Sequence, residues 1–299
     1  MDKVAALRPH ATSRRPLGRY PARVPAADLI PAFLRGDAPV SFLVDYDGTI
    51  SRQDVGGELL ARFLDEELRS EEQEKDADYD AGLVGSRELM QWDMDVLPGD
   101  ARVLRETAAS IPQDETFPAF VAAVRERGAA IEVVSDGLGF YVASNLERLG
   151  VADVPIATNG NDVAGGGSGM SFPYGHPRCF VCGTCKRERV RTHQAADRAV
   201  VFVGDGTSDR FAAAHADVVF AKGSLARICA AEGWPYQVWD TFAEVTAWVE
   251  PAFEDGRLPA DRAAFAGWKA VHAPAPRAFI CGPEVWGENR TTPGPGPGG

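Results

Sequence analysis

The 299-residue sequence lacks the features that would place it in a membrane or on a nucleic acid. It has no apolar run close to the ~20 residues that a helix needs to cross a bilayer. Basic residues are also few, since 31 Lys and Arg stand against 43 Asp and Glu and the formal net charge is -12. Such a surface would repel a polyanion. We therefore expect no membrane partner and no nucleic-acid partner.

Cysteine is scarce as well. Five cysteines are an odd number for a disulfide framework, and Cys179, Cys182 and Cys185 lie close together in the chain. The N-terminal segment contains several arginines but no apolar stretch of the kind that secretory signals carry. These features favour reduced thiols and a cytoplasmic location.

The two ends of the chain differ from its middle. Residues 1–38 are rich in Pro, Ala and Arg, which predicts a flexible N-terminal arm. Residues 251–299 are predicted to form a C-terminal extension with a disordered end, because the final TTPGPGPGG offers almost no apolar group.

Between these ends, apolar runs alternate with helical patterns. Strands are predicted at 40–44, 130–134 and 199–203, with weaker ones at 217–220 and 236–239. This alternation indicates an α/β fold with a Rossmann-like parallel sheet flanked by helices. Residues 55–115 interrupt it with helical patterns at 59–68, 86–96 and 101–110 and an acidic, solvated stretch. We predict a core from 39–54 and 116–250 and a small helical cap from 55–115.

Polar residues follow three predicted strands and open one predicted helix. They are Asp45, Asp47, Gly48 and Thr49 after the first strand, Ser135 and Asp136 after the second, Asp205 and Asp209 after the third, and Lys186 at the start of the helix. Ligands of an open α/β sheet bind beyond the carboxyl ends of its strands. We therefore expect these side chains to meet in one crevice.

Their chemistry suits transfer of a phosphoryl group. A carboxylate at position 45 can attack phosphorus and form an acyl phosphate. A second acid two residues later points to the same side of an extended chain and can act as acid and base. Donors from Gly48, Thr49 and Ser135, with the charge of Lys186, can hold phosphoryl oxygens.

A hard cation would remove the repulsion between these acids and a phosphate ester. Oxygen ligands from Asp45, the Asp47 carbonyl and Asp205 suit Mg²⁺.

The sequence resembles the haloacid dehalogenase (HAD) superfamily. DYDGT at 45–49 resembles its DxDG[TS] motif, VVSDG at 133–137 its serine motif, Lys186 its third motif and GDGTSD at 204–209 its acidic motif. All four occur in the order of the family over residues 40 to 250. The joint match is specific even though each motif alone is weak.

This resemblance implies an HAD-like, Mg²⁺-dependent phosphatase that hydrolyses a small phosphorylated metabolite. Asp45 would be the nucleophile and Asp47 the acid and base. The phosphate-binding set would be Gly48, Thr49, Ser135, Asp136 and Lys186. The metal-binding set would be Asp45, Asp47, Asp205 and Asp209, with Asp209 on the ion or on one of its ligands.

The helical insertion resembles the C1-type cap of the phosphoserine-phosphatase-like branch. In that branch a carboxylate at the position of Asp54 faces the substrate, but Asp54 could equally cap the helix that follows. CGTCK at 182–186 is similar to the CGxCK of the methionine-salvage phosphatases, which act on 2-hydroxy-3-keto-5-methylthiopentenyl 1-phosphate. Trp92 and Asp93 stand where phosphoserine phosphatases carry a carboxylate-binding arginine, which argues against phosphoserine.

Several alternatives remain open. A phosphotransferase or phosphomutase on this scaffold would use the same Asp45 intermediate. His176, Cys179, Cys182 and Cys185, at three-residue steps, could bind a structural Zn²⁺ in a non-catalytic binding protein, although a loop of reduced thiols is the favoured interpretation. Asp136 and Asp209 could be helix caps. The oligomeric state is open, a homodimer being one option.

Overall fold

The computed structural model describes residues 37–80, 83–161, 169–176, 179 and 181–272. Nearly all of the predicted N-terminal arm lies outside these residues, as does the predicted disordered end at 273–299. Those two predictions therefore stay predictions.

A single sheet of seven strands forms the centre of the described chain, in the order β4-β3-β2-β1-β5-β6-β7. All neighbouring pairs are parallel except β3 and β4, which are antiparallel. The strands are β1 (Val40–Val44), β2 (Ala130–Leu138), β3 (Ile156–Asn161), β4 (Met170–Ser171), β5 (Ala199–Gly204), β6 (Val218–Ala221) and β7 (Gln237–Val238). The predicted α/β fold with a mostly parallel sheet is confirmed.

Helices flank this sheet. They are α1 (Val55–Phe63), α2 (Glu66–Asp80), α3 (Ser86–Val96), α4 (Ala101–Ser110), α5 (Phe117–Glu126), α6 (Gly139–Arg148), α7 (Lys186–Ala195), α8 (Arg210–Ala213), α9 (Gly223–Glu232), α10 (Phe242–Glu254) and α11 (Arg262–His272). None of the described helices is both long enough and apolar enough to span a bilayer.

The central strands are apolar along their whole length because both faces of the sheet are covered. Phe42 of β1 and Val201 of β5 pack in the core on one face, whereas Leu43 and Phe202 pack in the core on the other. Successive side chains of a strand point to opposite faces. An uninterrupted apolar run is therefore what a strand buried on both faces requires.

The strand order places a crevice at the end of β1. The chain moves from β1 to β2 and β3 on one side, then returns to β5 on the other side of β1. Connections that leave neighbouring parallel strands in opposite directions open a cleft at the carboxyl edge of the sheet. Asp45 and Asp205 follow β1 and β5 at this edge.

The sequence missed several elements. β3 and β4 were not predicted because their short segments are only partly buried and contain polar residues. The acidic stretch forms helix α2, since Glu, Ala, Lys and Gln favour helices even without an apolar face. The single helix predicted across 59–68 is instead divided, α1 ending at Phe63 and α2 beginning at Glu66.

The segment between β1 and α5 is helical, as predicted, apart from one bridge between Ser51 and Gln113 within the described residues. Its helices have different neighbours. α4 packs against α6 of the core and against α1, whereas α2 packs against α3. Residues of α2 and α3 face the crevice at the carboxyl edge.

Candidate active site

Lys186 and Asp45 form a buried ion pair at the centre of the crevice. The Lys186 Nζ lies 2.6 Å from Asp45 Oδ1, 2.6 Å from Asp209 Oδ1 and 3.1 Å from Ser208 Oγ. Burial alone would lower the pKa of Lys186, but the charges of Asp209 and Asp45 outweigh burial and raise its pKa well above the usual range. The lysine therefore stays positively charged.

Three carboxylates converge on this point. One oxygen from each of Asp45, Asp205 and Asp209 lies within 4.8 Å of the others. Burial and the charge of Asp209 raise the pKa of Asp45, and the same two causes raise the pKa of Asp205 to about 6. Three acids beside one lysine leave negative charge that a divalent cation would balance. Carboxylate oxygens are hard ligands of the kind Mg²⁺ prefers, so this set fits the ion.

The acidic pair after β5 is fixed by the local backbone. Asp209 Oδ2 accepts hydrogen bonds from the N–H groups of Asp205 and Gly206, both at 2.9 Å. The Thr49 hydroxyl donates to Asp205 Oδ1 at 2.8 Å. Gly48 has a φ of +70°, and a Cβ at this position would collide with the Asp205 carboxylate. Glycine is thus required where the loop after β1 approaches the loop after β5.

Asp47 is held by two donors. The Val55 N–H donates to its Oδ1 at 3.0 Å, and the Tyr141 hydroxyl donates to its Oδ2 at 2.9 Å. Burial raises the pKa of Asp47 to about 8, with a further contribution from the charge of Asp54. Asp54 caps α1 by accepting from the Gly57 N–H at 3.0 Å, and it also lines the crevice. The prediction that Asp54 caps the N-terminus of helix α1 is confirmed, whereas its contact with the substrate stays a prediction.

The residues after β2 connect the core to α3. Ser135 is fully buried, and its Oγ accepts from the Gly137 N–H at 3.0 Å. The Asp136 carboxylate accepts from the Ser86 hydroxyl of α3 at 2.5 Å and from the Thr184 N–H at 2.7 Å. Burial raises the pKa of Asp136. In this arrangement the Asp136 side chain bridges α3 and the loop before α7.

These groups surround a cavity of about 350 Å³. Its core end is lined by Asp45, Asp47, Gly48, Asp136, Gly137, Lys186, Asp205, Gly206, Thr207 and Ser208. Its other end, named the cap end after the cap predicted over 55–115, is lined by Asp54, Gly56, Gly57, Leu60, Glu72, Asp76, Tyr79, Leu89, Met90 and Asp93; Ser86 and Tyr141 also belong to the lining.

The structure brings most of the predicted site residues to this cavity. The predicted meeting of Asp45 with Asp205 is confirmed. Thr49, Ser135 and Asp209 are buried behind the lining, where their side chains hold other groups. Their assigned contacts with phosphate or metal stay predictions.

The cysteine segment does not form a compact ligand set in the described part of the chain. Among His176, Cys179, Cys182 and Cys185, no three residues bring ligand atoms within 4.8 Å of one another. Cys185 is buried, whereas Cys179 and Cys182 are partly exposed. The zinc alternative therefore has no support from this geometry.

Sequence patterns did not reveal every residue at the cavity. Tyr141 and Ser86 contact predicted site residues only through the packing of α6 and α3. Asp93 had a detectable signal, because it follows Leu89 by four residues on the buried face of α3. A charged side chain on such a face indicates a specific role.

Solved structures share this fold. One, described as a phospho-aspartyl intermediate analogue of phosphoserine phosphatase, aligns with a TM-score of 0.54 at 16% identity, over 71% of this chain and all of that chain. Another, a probable phosphoserine phosphatase from Vibrio cholerae, aligns with a TM-score of 0.56 at 16% identity, over 76% of this chain and 69% of that one. At such identity the likeness concerns the fold alone.

Sequence comparison finds relatives that align with this chain over more than nine tenths of their own length. A 2-hydroxy-3-keto-5-methylthiopentenyl-1-phosphate phosphatase of an Exiguobacterium species is 29% identical over 215 residues, covering 70% of this chain and 96% of the relative. The protein of the same name from Geobacillus kaustophilus is 30% identical over 208 residues, covering 67% and 91%. A family profile described as haloacid dehalogenase-like hydrolase matches residues 42–214. The chain belongs to the haloacid dehalogenase-like hydrolase family.

Proposed function

We propose that this chain is a Mg²⁺-dependent phosphatase that hydrolyses a small phosphorylated metabolite through an aspartyl phosphate on Asp45. The observation that carries the proposal is the convergence of Asp45, Asp47, Lys186 and Asp205, from three separate segments, on one cavity. The sequence relatives add support, since they are named as phosphatases of a small phosphorylated compound.

The first step forms the aspartyl phosphate. An Asp45 carboxylate oxygen attacks phosphorus, a new O–P bond forms, and the bond from phosphorus to the alcohol oxygen breaks. The alcohol leaves with a proton from Asp47. Asp47 suits this task because the Val55 N–H and the Tyr141 hydroxyl fix its orientation at the cavity wall.

The second step releases phosphate. Asp47, now ionised, takes a proton from a water molecule, and the water oxygen attacks phosphorus. The bond between phosphorus and Asp45 breaks, so inorganic phosphate leaves and the Asp45 carboxylate is regenerated. Throughout both steps, the positive charge of Lys186 lies where the phosphoryl oxygens gather negative charge.

Asp45 and Asp205 are the proposed Mg²⁺ ligands, together with the Asp47 carbonyl. Asp209 already accepts hydrogen bonds at both oxygens, from Lys186 and from two backbone N–H groups, which suits it to position Lys186 and Asp205. Bound there, the ion would offset the negative charge of the acids and of the phosphate ester.

The helices above the cavity supply enclosure. α2 and α3 contribute cavity residues opposite the strand ends, so we propose that the 55–115 segment acts as a cap. Exclusion of bulk water would protect the first step and strengthen its electrostatic interactions. A cytoplasmic location stays a prediction.

A phosphate-release assay tests the proposal. We expect wild-type protein to release inorganic phosphate from p-nitrophenyl phosphate and from members of a panel of phosphorylated metabolites, only when Mg²⁺ is present. The panel includes the 1-phosphate in the name of the relatives. Asp45→Asn should lower kcat by at least about 10³-fold, because it removes the nucleophile.

A matched control separates chemistry from folding. Asp95→Asn makes the same change at an exposed residue of α3 outside the cavity lining, and it should retain full activity. Retained hydrolysis in Asp45→Asn would refute the assignment of the nucleophile. Consumption of the ester that requires an added alcohol acceptor, with the phosphoryl group recovered on that alcohol and no inorganic phosphate released, would instead favour the phosphotransferase alternative.

A further inference from the structure

The cap end of the cavity is strongly acidic. Asp54, Glu72, Asp76 and Asp93 line it. Lys186 is the one Lys or Arg among the described lining residues, and it lies at the other end between Asp45 and Asp209. The two ends therefore differ in the charge they accept.

Asp93 is the most deeply placed acid of this set. Only 6% of its surface is exposed, and no described residue donates a hydrogen bond to its carboxylate. Burial raises its pKa to about 8, with further contributions from the charges of Asp54, Asp76 and Glu72. A buried carboxylate without a donor costs free energy unless a partner arrives. The Asp93 carboxylate therefore has no hydrogen-bond donor among the described residues, and a bound ligand can supply one.

Lys75 of α2 and Arg87 of α3 lie outside the cavity lining and make other contacts. The Lys75 ammonium pairs with Glu71 at 3.7 Å and lies over the Trp92 ring at 5.5 Å from its centroid. The Arg87 Nε donates to the Cys182 carbonyl at 2.8 Å, outside the cavity lining. Among the described lining residues, the cap end therefore has no Lys or Arg that would hold a carboxylate of a substrate.

A small metal ion does not fit the cap end well. Among the described residues, three acids bring oxygens within 4.8 Å of one another only at Asp45, Asp205 and Asp209. Besides the acids, which form no such cluster, the cap end is lined by apolar and aromatic residues, namely Leu60, Tyr79, Leu89 and Met90. Dispersed acids, aliphatic side chains and an aromatic residue together suit an organic ammonium ion with its methylene groups.

We propose that the substrate is the phosphate monoester of an amino alcohol, with its ammonium group bound by Asp93 and the neighbouring cap acids. This inference rests on the proposed function, because it assigns the leaving alcohol of that same reaction. The phosphate lies at the core end beside Lys186, and the ammonium group lies at the cap end. The cavity volume of about 350 Å³ suits a small ester.

The test compares esters that differ in charge at the far end of the alcohol. At that end, ethanolamine phosphate carries an ammonium group and propyl phosphate, of similar size, carries an uncharged methyl group. Glycerol phosphate carries hydroxyls there and phosphoglycolate carries a carboxylate. We expect kcat/KM for ethanolamine phosphate to exceed that for each of the others by at least about tenfold, because a buried charge pair adds selectivity.

Variants locate the source of the preference. Asp93→Asn should bring the ratio of kcat/KM for ethanolamine phosphate over propyl phosphate close to one, and Asp76→Asn should lower it by a smaller factor. Asp95→Asn, an exposed change on the same helix, should leave the ratio as in wild type. If Asp93→Asn does not fold, the effect of Asp76→Asn on the ratio decides.

The outcomes are distinguishable. An equal or greater kcat/KM for the propyl, glycerol or glycolate ester would overturn this inference and leave the proposed phosphatase intact. A wild-type ratio that Asp93→Asn and Asp76→Asn do not lower would overturn the role of the cap acids. If no ester is hydrolysed, including p-nitrophenyl phosphate with Mg²⁺, the proposed function fails and this inference fails with it.

Discussion

Single charged residues determine the chemistry of the cavity. Lys186 is 3% exposed and lies between Asp45 and Asp209, so each charge has a partner in a place with little access to water. A buried charge that loses its partner is strongly destabilising. The ion pairs thus hold the nucleophile and the acidic loop together.

Asp93 illustrates the opposite situation, since it is buried and forms no ion pair with another described residue. Its pKa in the folded protein is about 8, above the value of about 4 for an unfolded chain. Between these values the folded state binds more protons than the unfolded state, so stability falls as the pH rises from about 4 to 8. The groups facing Asp93 are Asp54, Asp76, Glu72 and Lys75.

Asp93→Asn should therefore stabilise the protein at neutral and alkaline pH. We expect its free energy of unfolding to exceed that of wild type by at least about 1 kcal/mol at pH 8, and to match it near pH 4. Urea denaturation at several pH values measures the difference, with Asp95→Asn as the control. A variant less stable than wild type at pH 8 would show that the carboxylate has a partner in the folded protein.

At the scale of elements, α3 is joined to the core by a small hydrogen-bond network. The Ser86 hydroxyl at its first turn donates to Asp136 and accepts from the Gly183 N–H at 3.1 Å. Asp136 also accepts from the Thr184 N–H. One side chain thus connects α3, the end of β2 and the loop that leads to Lys186.

Ser86→Ala should loosen this connection. Loss of a buried hydroxyl that leaves Asp136 and Gly183 with fewer partners should cost about 1–3 kcal/mol of stability. We also expect a higher KM, because α3 carries part of the cavity wall. Thermal unfolding and steady-state kinetics measure both effects. Ser70→Ala is the matched control, since that exposed hydroxyl donates only within α2; equal effects of the two changes would contradict the network.

The elements differ in how well the sequence predicted them. β1, α3 and α4 have the predicted bounds, because a strong apolar period or a capping residue marks them. β3 lacked such a pattern, and its place in the sheet comes from pairing with β2. α2 is helical by intrinsic propensity, although its composition indicated only solvent exposure.

At the scale of the whole molecule, the motifs predicted the core end of the cavity and missed most of its cap end. Asp45 and Asp205 are brought together by the strand order, which follows from alternating strands and helices. Glu72, Asp76 and Asp93 meet only through the packing of α2 on α3 and of α3 on the core. Such tertiary contacts leave no fixed spacing in a sequence.

The net charge of the whole protein and the charges inside the cavity act over different distances. A formal charge of -12 describes the whole surface. Binding of a phosphate ester depends instead on Lys186 and on a cation held by the acids around it, since nearby charges act strongly inside a cleft. The acidic surface is therefore compatible with an anionic phosphate group at the core end.

The central claim is that Asp45 carries the phosphoryl group. Protein mixed with substrate and Mg²⁺, quenched in acid and reduced with borohydride, should yield homoserine at position 45, because borohydride reduces an acyl phosphate to an alcohol. Peptide mass spectrometry identifies the modified residue. We predict homoserine at position 45 only, and none in the absence of substrate. Unmodified Asp45 during rapid turnover, or modification at another carboxylate, would contradict the account.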